Sequence, residues 1–210
     1  MIFKSIIFGQ FDFGGTKSFH RVVDMSMQRA ETYYRSDILF DLEEAFDEEK
    51  GQFILSKKSH THQHERPYKN SLNLLKHIAQ FATSGRVRFW LLENGQLKEH
   101  FVIEPLNDHA TVKAFLRGRK FAEQAPEKAI GAFTEAIDHN QQHAEAYYLR
   151  ALTWLQLDEI EKAKADLTRS IEHSPAQPDA YFERAALFRA HEKFEEAARD
   201  YGHAVEFSIP

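Results

Sequence analysis

Three histidines alternate with other residues over a short polar stretch, at His60, His62 and His64. Alternate residues of an extended segment lie on the same side of the chain, and neutral imidazoles bind zinc, copper or nickel. The chain has no cysteine, and only the adjacent Glu65 offers a carboxylate near the three rings. We therefore expect no metal site. Residues 56–67 are expected to form an exposed loop, with the three histidines as the candidate ligands.

Three further patterns could carry chemistry, and each is incomplete. Gly14 and Gly15 follow an apolar segment in the manner of a phosphate-binding turn, but a second glycine-rich phosphate loop is absent. The acidic run at 41–49 could attract a cation or a basic partner, but it lacks the spacing of a calcium loop. Serine, histidine and acidic residues occur without a Gly-x-Ser-x-Gly elbow. The sequence therefore predicts no catalytic residue and no cofactor.

The composition favours a folded protein that does not bind nucleic acid. Of the 210 residues, 42% are hydrophobic and 28% are charged, and the formal net charge is -5. No run reaches the roughly 18 apolar residues of a membrane span. The apolar start of the chain is short, and Asp12 follows it without a cleavage site. We expect a cytoplasmic protein of one or two domains, without a membrane partner.

The first half, residues 1–105, reads as an α+β domain with an antiparallel sheet and helices. Asn94 and Gly95 separate two alternating apolar segments, which is the pattern of a β-hairpin. Ser18 is the expected N-cap of the first helix. Residues 38–49 could form a second helix or an irregular acidic segment. The expected strands cover residues 3–13, 53–55, 87–92 and 97–103, and the expected helices cover residues 19–34 and 69–83.

The second half, residues 106–210, repeats itself at a constant interval. Small residues recur at this interval at Ala129, Ala163 and Ala197, and large apolar residues recur at Phe133, Leu167 and Tyr201. Small side chains let two helices approach closely, and the larger ones fill the space around the crossing. Each unit therefore reads as a pair of helices. The six expected helices cover residues 111–123, 127–138, 144–157, 159–173, 179–190 and 194–207.

These repeats resemble the tetratricopeptide repeat (TPR) family, with units at about 110–143, 144–177 and 178–210. The family pattern asks for an aromatic residue, a small one four positions later and an aromatic one three further on. The two matching sets are Tyr147, Ala151 and Trp154, and Tyr181, Ala185 and Phe188. The first unit departs from this pattern, because Gly118 lies one position too close to Ala151 and Lys113 stands in the first aromatic place.

The resemblance implies an all-α solenoid whose concave surface, formed by the first helix of each unit, binds a peptide or partner protein. Leu149 stands where the family's clamp for chaperone tails would need asparagine, so such tails are not expected. The residues implied for this surface are Phe115, Arg119, Tyr148, Leu149, Leu152, Gln156, Phe182, Glu183 and Arg189.

The sequence therefore predicts a non-enzymatic interaction module or scaffold. The last helix carries apolar residues with no polar helix after it, which favours a homodimer through that helix. An alternative is that the first half is a sensor or enzyme binding a small molecule or a metal ion, with the repeats used for dimerisation. The step from fold to function is an analogy with the family.

Overall fold

Two units make up the chain, and the structure, a computed structural model, describes residues 2–107 and 109–208. Unit 1 extends to Asn107, and the described part of unit 2 begins at His109. Unit 1 contains every strand of the described residues, and unit 2 contains helices alone. An α+β unit is therefore followed by an all-α unit, as the sequence predicts.

Unit 1 is built on one five-stranded sheet. Its strands are β1 (Phe3–Asp12), β2 (Phe46–Asp47), β3 (Gln52–His62), β4 (Ser84–Glu93) and β5 (Gln96–Ile103). Their order across the sheet is β2-β3-β1-β4-β5, and every neighbouring pair is antiparallel. Its helices are α1 (Thr16–Tyr34), α2 (Leu42–Ala45) and α3 (Arg66–Ala79).

The apolar residues of the strands and helices of unit 1 pack into one core. Phe3, Ile7 and Phe11 alternate along β1 and are buried in the same cluster as residues of β4, α1 and α3. The two-residue turn between β4 and β5 has positive φ at Asn94 (49°) and Gly95 (83°), as a type I′ hairpin requires. The predicted hairpin is therefore confirmed.

Two expectations for unit 1 are wrong. Ser18 does not cap α1, because the helix begins at Thr16 and Gly15 takes the N-cap position without a side-chain hydrogen bond. Most of the histidine stretch is not a loop, because β3 extends from Gln52 to His62 and pairs with β1 along its length; only residues 63–65, with His64, are irregular. The backbone of β1 forms the hydrogen bonds that this polar segment needs as a strand. Pairing with β1 therefore outweighs the loop-like composition of the segment.

Unit 2 consists of three helix pairs. Its helices are α4 (Ala110–Phe121), α5 (Pro126–His139), α6 (Ala144–Gln156), α7 (Ile160–His173), α8 (Pro178–Ala190) and α9 (Phe194–Ser208). Each first helix packs against its own second helix, and α5 and α7 also pack against the first helix of the next pair. None of the described helices has both the length and the hydropathy that crossing a membrane requires.

The first pair needs a glycine in spite of its shifted spacing. A Cβ atom placed on Gly118 would overlap the ring of Phe133, with its Cζ 3.0 Å away. Phe133 is fully buried. Gly118 therefore serves as the small residue at the crossing of α4 and α5, as the pattern predicts.

Candidate functional site

A half-buried arginine joins the first and second helix pairs. The Arg150 guanidinium, on α6, donates from Nε and Nη2 to the Asp166 carboxylate on α7, both at 2.8 Å. Its Nη1 donates to Thr134 Oγ1 on α5 at 3.0 Å. One side chain therefore fixes α6 against both α7 and α5 by a bidentate ion pair and a further hydrogen bond.

The same arrangement recurs one repeat later. Arg184 donates to Asp200 at 2.7 and 2.9 Å and to Thr168 at 3.2 Å. The Arg184 and Asp200 side chains are 16% and 7% exposed, so this pair also lies in the interior. We name the two sets, Arg150–Asp166–Thr134 and Arg184–Asp200–Thr168, the junction triads.

Unit 2 thus consists of three helix pairs, and the contacts between them recur at the interval of the sequence repeat. This is the fold of a TPR array. The corresponding arginine of the first TPR unit, Arg117, pairs with Glu135 on the surface, so the buried triads begin at the junction of the first and second units. The triads were not predicted, although their threonine and aspartate members also recur at the repeat interval.

The second TPR unit begins at a buried histidine. His143 precedes α6, is 2% exposed, and its Nδ1 accepts the Ala146 N–H at 3.3 Å. Its ring lies 4.6 Å from that of Phe115, between centroids. Burial lowers the pKa of His143 to about 3, since no carboxylate compensates for the lost hydration. Gln177, one repeat later, takes the same place before α8 and is also buried.

We expect His143 to make the TPR array sensitive to acid. Its pKa is about 3 in the folded chain and 6.5 ordinarily, so the unfolded chain binds a proton there below pH 6.5 and the folded chain does not. Stability is therefore lost as the pH falls through this range, by about 2 kcal/mol between pH 6.5 and 4.5.

Urea unfolding at both pH values measures this loss. His143→Gln is the matched variant, because glutamine occupies the equivalent position in the third unit. The loss should be smaller in the variant by about 2 kcal/mol. Equal losses of stability in the wild type and in His143→Gln would contradict the assignment of His143 as buried and neutral.

All nine residues predicted for the concave surface lie on the first helices α4, α6 and α8. Phe115, Tyr148 and Phe182 occupy one position in the three units, and their exposure increases along the array from 8% for Phe115 to 38% for Phe182. Phe115 lies in the core against Phe133 and His143. Phe115 therefore offers a partner almost no accessible surface, and its predicted part in partner binding has no support from its burial.

The remaining members are a mixture of apolar and polar side chains. Leu149 packs against the core of the first TPR repeat. The guanidinium of Arg119 lies 5.7 Å above the ring of Phe115. The half-buried members are Tyr148, Leu149, Leu152 and Glu183, and the exposed members are Arg119, Gln156, Phe182 and Arg189. This arrangement could bury an apolar side chain of a partner while exposed polar groups contact its flanks.

The candidate histidines of unit 1 serve its fold. His62 Nδ1 donates to the His64 carbonyl oxygen at 2.7 Å, and its Nε2 accepts from Ser5 Oγ at 2.9 Å. Both ring nitrogens of His62 are thus engaged. Burial lowers the pKa of His60. Within residues 2–107 and 109–208, no three His, Asp or Glu side chains are grouped so that they could hold a metal ion.

Comparisons with known proteins bear on the TPR array alone. No family model matches the chain, and no curated protein matches it. The second TPR of Spaghetti (RPAP3), bound to the HSP90 peptide SRMEEVD, is 24% identical; the match covers 48% of this chain and 94% of that one, with a TM-score of 0.45.

Two further solved structures are similar over the same half. The Arabidopsis OM64 TPR domain is 27% identical, with 47% of this chain and 83% of that chain covered and a TM-score of 0.45. The TPR2B domain of yeast Sti1, in its pHsp70 complex, is 26% identical, with 45% and 77% covered and a TM-score of 0.43.

Proposed function

We propose that this protein is a cytoplasmic interaction module that binds a segment of a partner protein on the surface formed by α4, α6 and α8. The observation that carries the proposal is the position of Leu152 and Phe182 on first helices that the junction triads hold to their neighbours. A pre-organised surface loses little entropy on binding, so a small apolar centre suffices for recognition.

The chemistry of the surface indicates the kind of segment. Leu152 and Phe182 offer apolar contact, and the charged members of the predicted surface, Arg119, Glu183 and Arg189, carry both signs. An amphipathic segment with an apolar side chain and polar flanks fits this arrangement. Leu149 stands where a chaperone-tail clamp needs asparagine, so an acidic chaperone tail is not the proposed ligand.

Replacing Leu152 with glutamate tests this function. Affinity capture from a lysate of the source organism, with identification by mass spectrometry, should recover a partner with the wild type and at least about tenfold less of it with Leu152→Glu. Ala165→Glu is the matched control, because it adds the same side chain at an exposed position of α7, a second helix. Circular dichroism should show that both variants keep the helical content of the wild type.

The possible outcomes separate the hypotheses. A partner captured equally by the wild type and both variants would contradict binding at this surface. Recovery of the protein itself, and of nothing else in any sample, would indicate self-association instead. The exposed apolar side chains of α9, Phe194 and Val205, would then be the first contacts to test.

A further inference from the structure

β3 offers an open edge over most of its length. Within the part of the chain that the structure describes, β2 pairs with Gln52 and Phe53 of β3 and then ends, whereas β1 pairs with the opposite side of β3 as far as His62. The outer edge of β3 from Ile54 to His62 therefore has no neighbouring strand. Such an edge presents backbone N–H and C=O groups that can pair with an added strand.

A cavity of about 430 Å³ opens beside this edge. Ile38, Leu39 and Phe40 line it from the segment before α2. The sheet contributes both apolar and polar lining residues, which are Ile7, Ile54, Leu55, Ser56, Lys58 and His60. A strand added to the edge would point alternate side chains toward this face of the sheet. The cavity therefore provides a place for one apolar side chain of that strand.

The acidic run predicted to attract a basic partner lies at one end of the same cavity. Asp41 and Glu44 line the cavity, and Asp41 accepts hydrogen bonds from the backbone N–H groups of Glu43 and Glu44 at 2.8 and 3.3 Å. Glu44 pairs with Lys58 of β3 at 3.1 Å. Glu43, Glu48 and Glu49 are exposed. The run carries six carboxylates over residues 41–49, and two of them, Glu44 and Asp47, pair with Lys58 and Lys50. The other four keep the run negatively charged, so it complements a positively charged side chain.

We propose that the open edge of β3 is a second docking site, which binds an extended peptide segment of a partner protein by strand addition. The segment places an apolar side chain in the cavity beside Phe40 and a basic side chain against the acidic run. It runs antiparallel to β3, like every neighbouring pair of this sheet. Its C-terminal end then lies near Ala45, beside the acidic run, so an internal segment fits and a free C-terminal carboxylate does not.

Charge argues against a second copy of this chain as the occupant. Antiparallel pairing of two β3 edges about Ser59 would oppose Lys58 of each chain to His60 of the other. These groups carry no negative charge, so the pairing gains no electrostatic attraction. A peptide with a lysine or arginine at its C-terminal end uses the acidic run, which self-pairing leaves unused.

Four synthetic probes test the proposal with the full-length protein by isothermal titration calorimetry. The first is acetyl-Thr-Val-Thr-Leu-Thr-Lys-amide, and the second carries Glu in place of Lys. The third and fourth are N-methylated forms of the lysine peptide. The third is methylated at the threonines, and the fourth at the residues between them. Only alternate N–H groups of a strand face its neighbour, so strand addition requires that one form bind and the other fail.

We expect the lysine peptide to bind at least about tenfold more tightly than the glutamate peptide. One N-methylated form should match the unmodified peptide and the other should lose about tenfold or more. Equal binding of both N-methylated forms would overturn strand addition. Absence of binding by the lysine peptide up to millimolar concentration would overturn the site altogether.

Two variants locate the binding. Glu43→Lys combined with Glu48→Lys changes exposed side chains and leaves the core intact, and it should reverse the preference between the two peptides. Ile38→Lys places a charge at the cavity and should abolish binding of the lysine peptide. Val102→Glu, on the outer strand β5 of the same sheet, is the matched control and should change nothing. Binding that survives both Ile38→Lys and the charge reversal would overturn the proposed location.

This site is independent of the proposed function of unit 2. Leu152→Glu should leave hexapeptide binding unchanged, and Ile38→Lys should leave partner capture by α4, α6 and α8 unchanged. A failure of either proposal is therefore visible without the other.

Discussion

Replacing Asp166 with alanine should lower the free energy of unfolding of unit 2 by about 3–5 kcal/mol. The Arg150 side chain is 17% exposed, and Asp166 provides both acceptors of its bidentate pair. The substitution leaves the guanidinium charge in the interior without its counter-charge. Removing one partner of a buried ion pair costs far more than the pair itself contributes, because the remaining charge has lost its hydration.

Tryptophan fluorescence can assign this loss to unit 2. The chain has two tryptophans, Trp90 in β4 and Trp154 in α6. In a Trp90→Phe background, urea unfolding monitored at Trp154 reports the TPR array alone. Asp200→Ala should give a similar loss, because the second junction triad repeats the first.

The surface ion pair on the same helix is the control for Asp166. Glu161 pairs with Lys164 at 3.4 Å, and its side chain is 81% exposed. Glu161→Ala should therefore change the stability by less than about 0.5 kcal/mol. A loss below about 1 kcal/mol for Asp166→Ala would show that water replaces the carboxylate and that the triad is not a closed interior pair.

Replacing Gly85 with alanine should destabilise unit 1 by about 3 kcal/mol or more. Gly85 has φ +99°, and a Cβ atom there would overlap the carbonyl oxygen of Gln10 and lie 2.9 Å from the Cα of Phe11. These are backbone atoms of β1, so relief requires β1 and β4 to separate. The substitution therefore adds a steric cost to the cost of a positive φ.

Gly51 separates these two costs. It also has positive φ, +63°, but a Cβ atom there would meet nothing within 4 Å. Gly51→Ala should cost about 1 kcal/mol, from backbone conformation alone. Unfolding is monitored at Trp90 in a Trp154→Phe background, which the array tolerates because Phe188 occupies the equivalent position. Similar losses at Gly51 and Gly85 would contradict the close approach of β1 and β4.

The proportion of the secondary structure that could be predicted from the sequence differs between unit 1 and unit 2. In unit 2 the expected helices are present with ends shifted by one or two residues, because small and aromatic residues must recur wherever two helices cross. In unit 1 the hairpin at Asn94 and Gly95 is found, since its turn chemistry is local. The extent of β3 could not be predicted, because polar residues such as Ser59 and Thr61 form a strand only when β1 lies beside them.

The candidate sites divide in the same way. The first-helix positions of Leu152 and Phe182 follow from the repeat, and their use in binding stays a prediction. The burial of Phe115 could not be predicted, because it depends on how the shifted first unit packs against His143. The edge of β3 and its cavity are likewise visible only in the structure, since they arise where β2 ends after two residues.

Residue type and local spacing are enough to predict the repeat and its interval, the six helices of the array, the β-hairpin and the lack of cysteine chemistry. The burial and pairing of polar residues, in contrast, depend on contacts between distant parts of the chain. Arg150 finds its partners 16 residues away in both directions, at Thr134 and Asp166. Such contacts depend on how helices cross and strands align, and local spacing does not encode those distances.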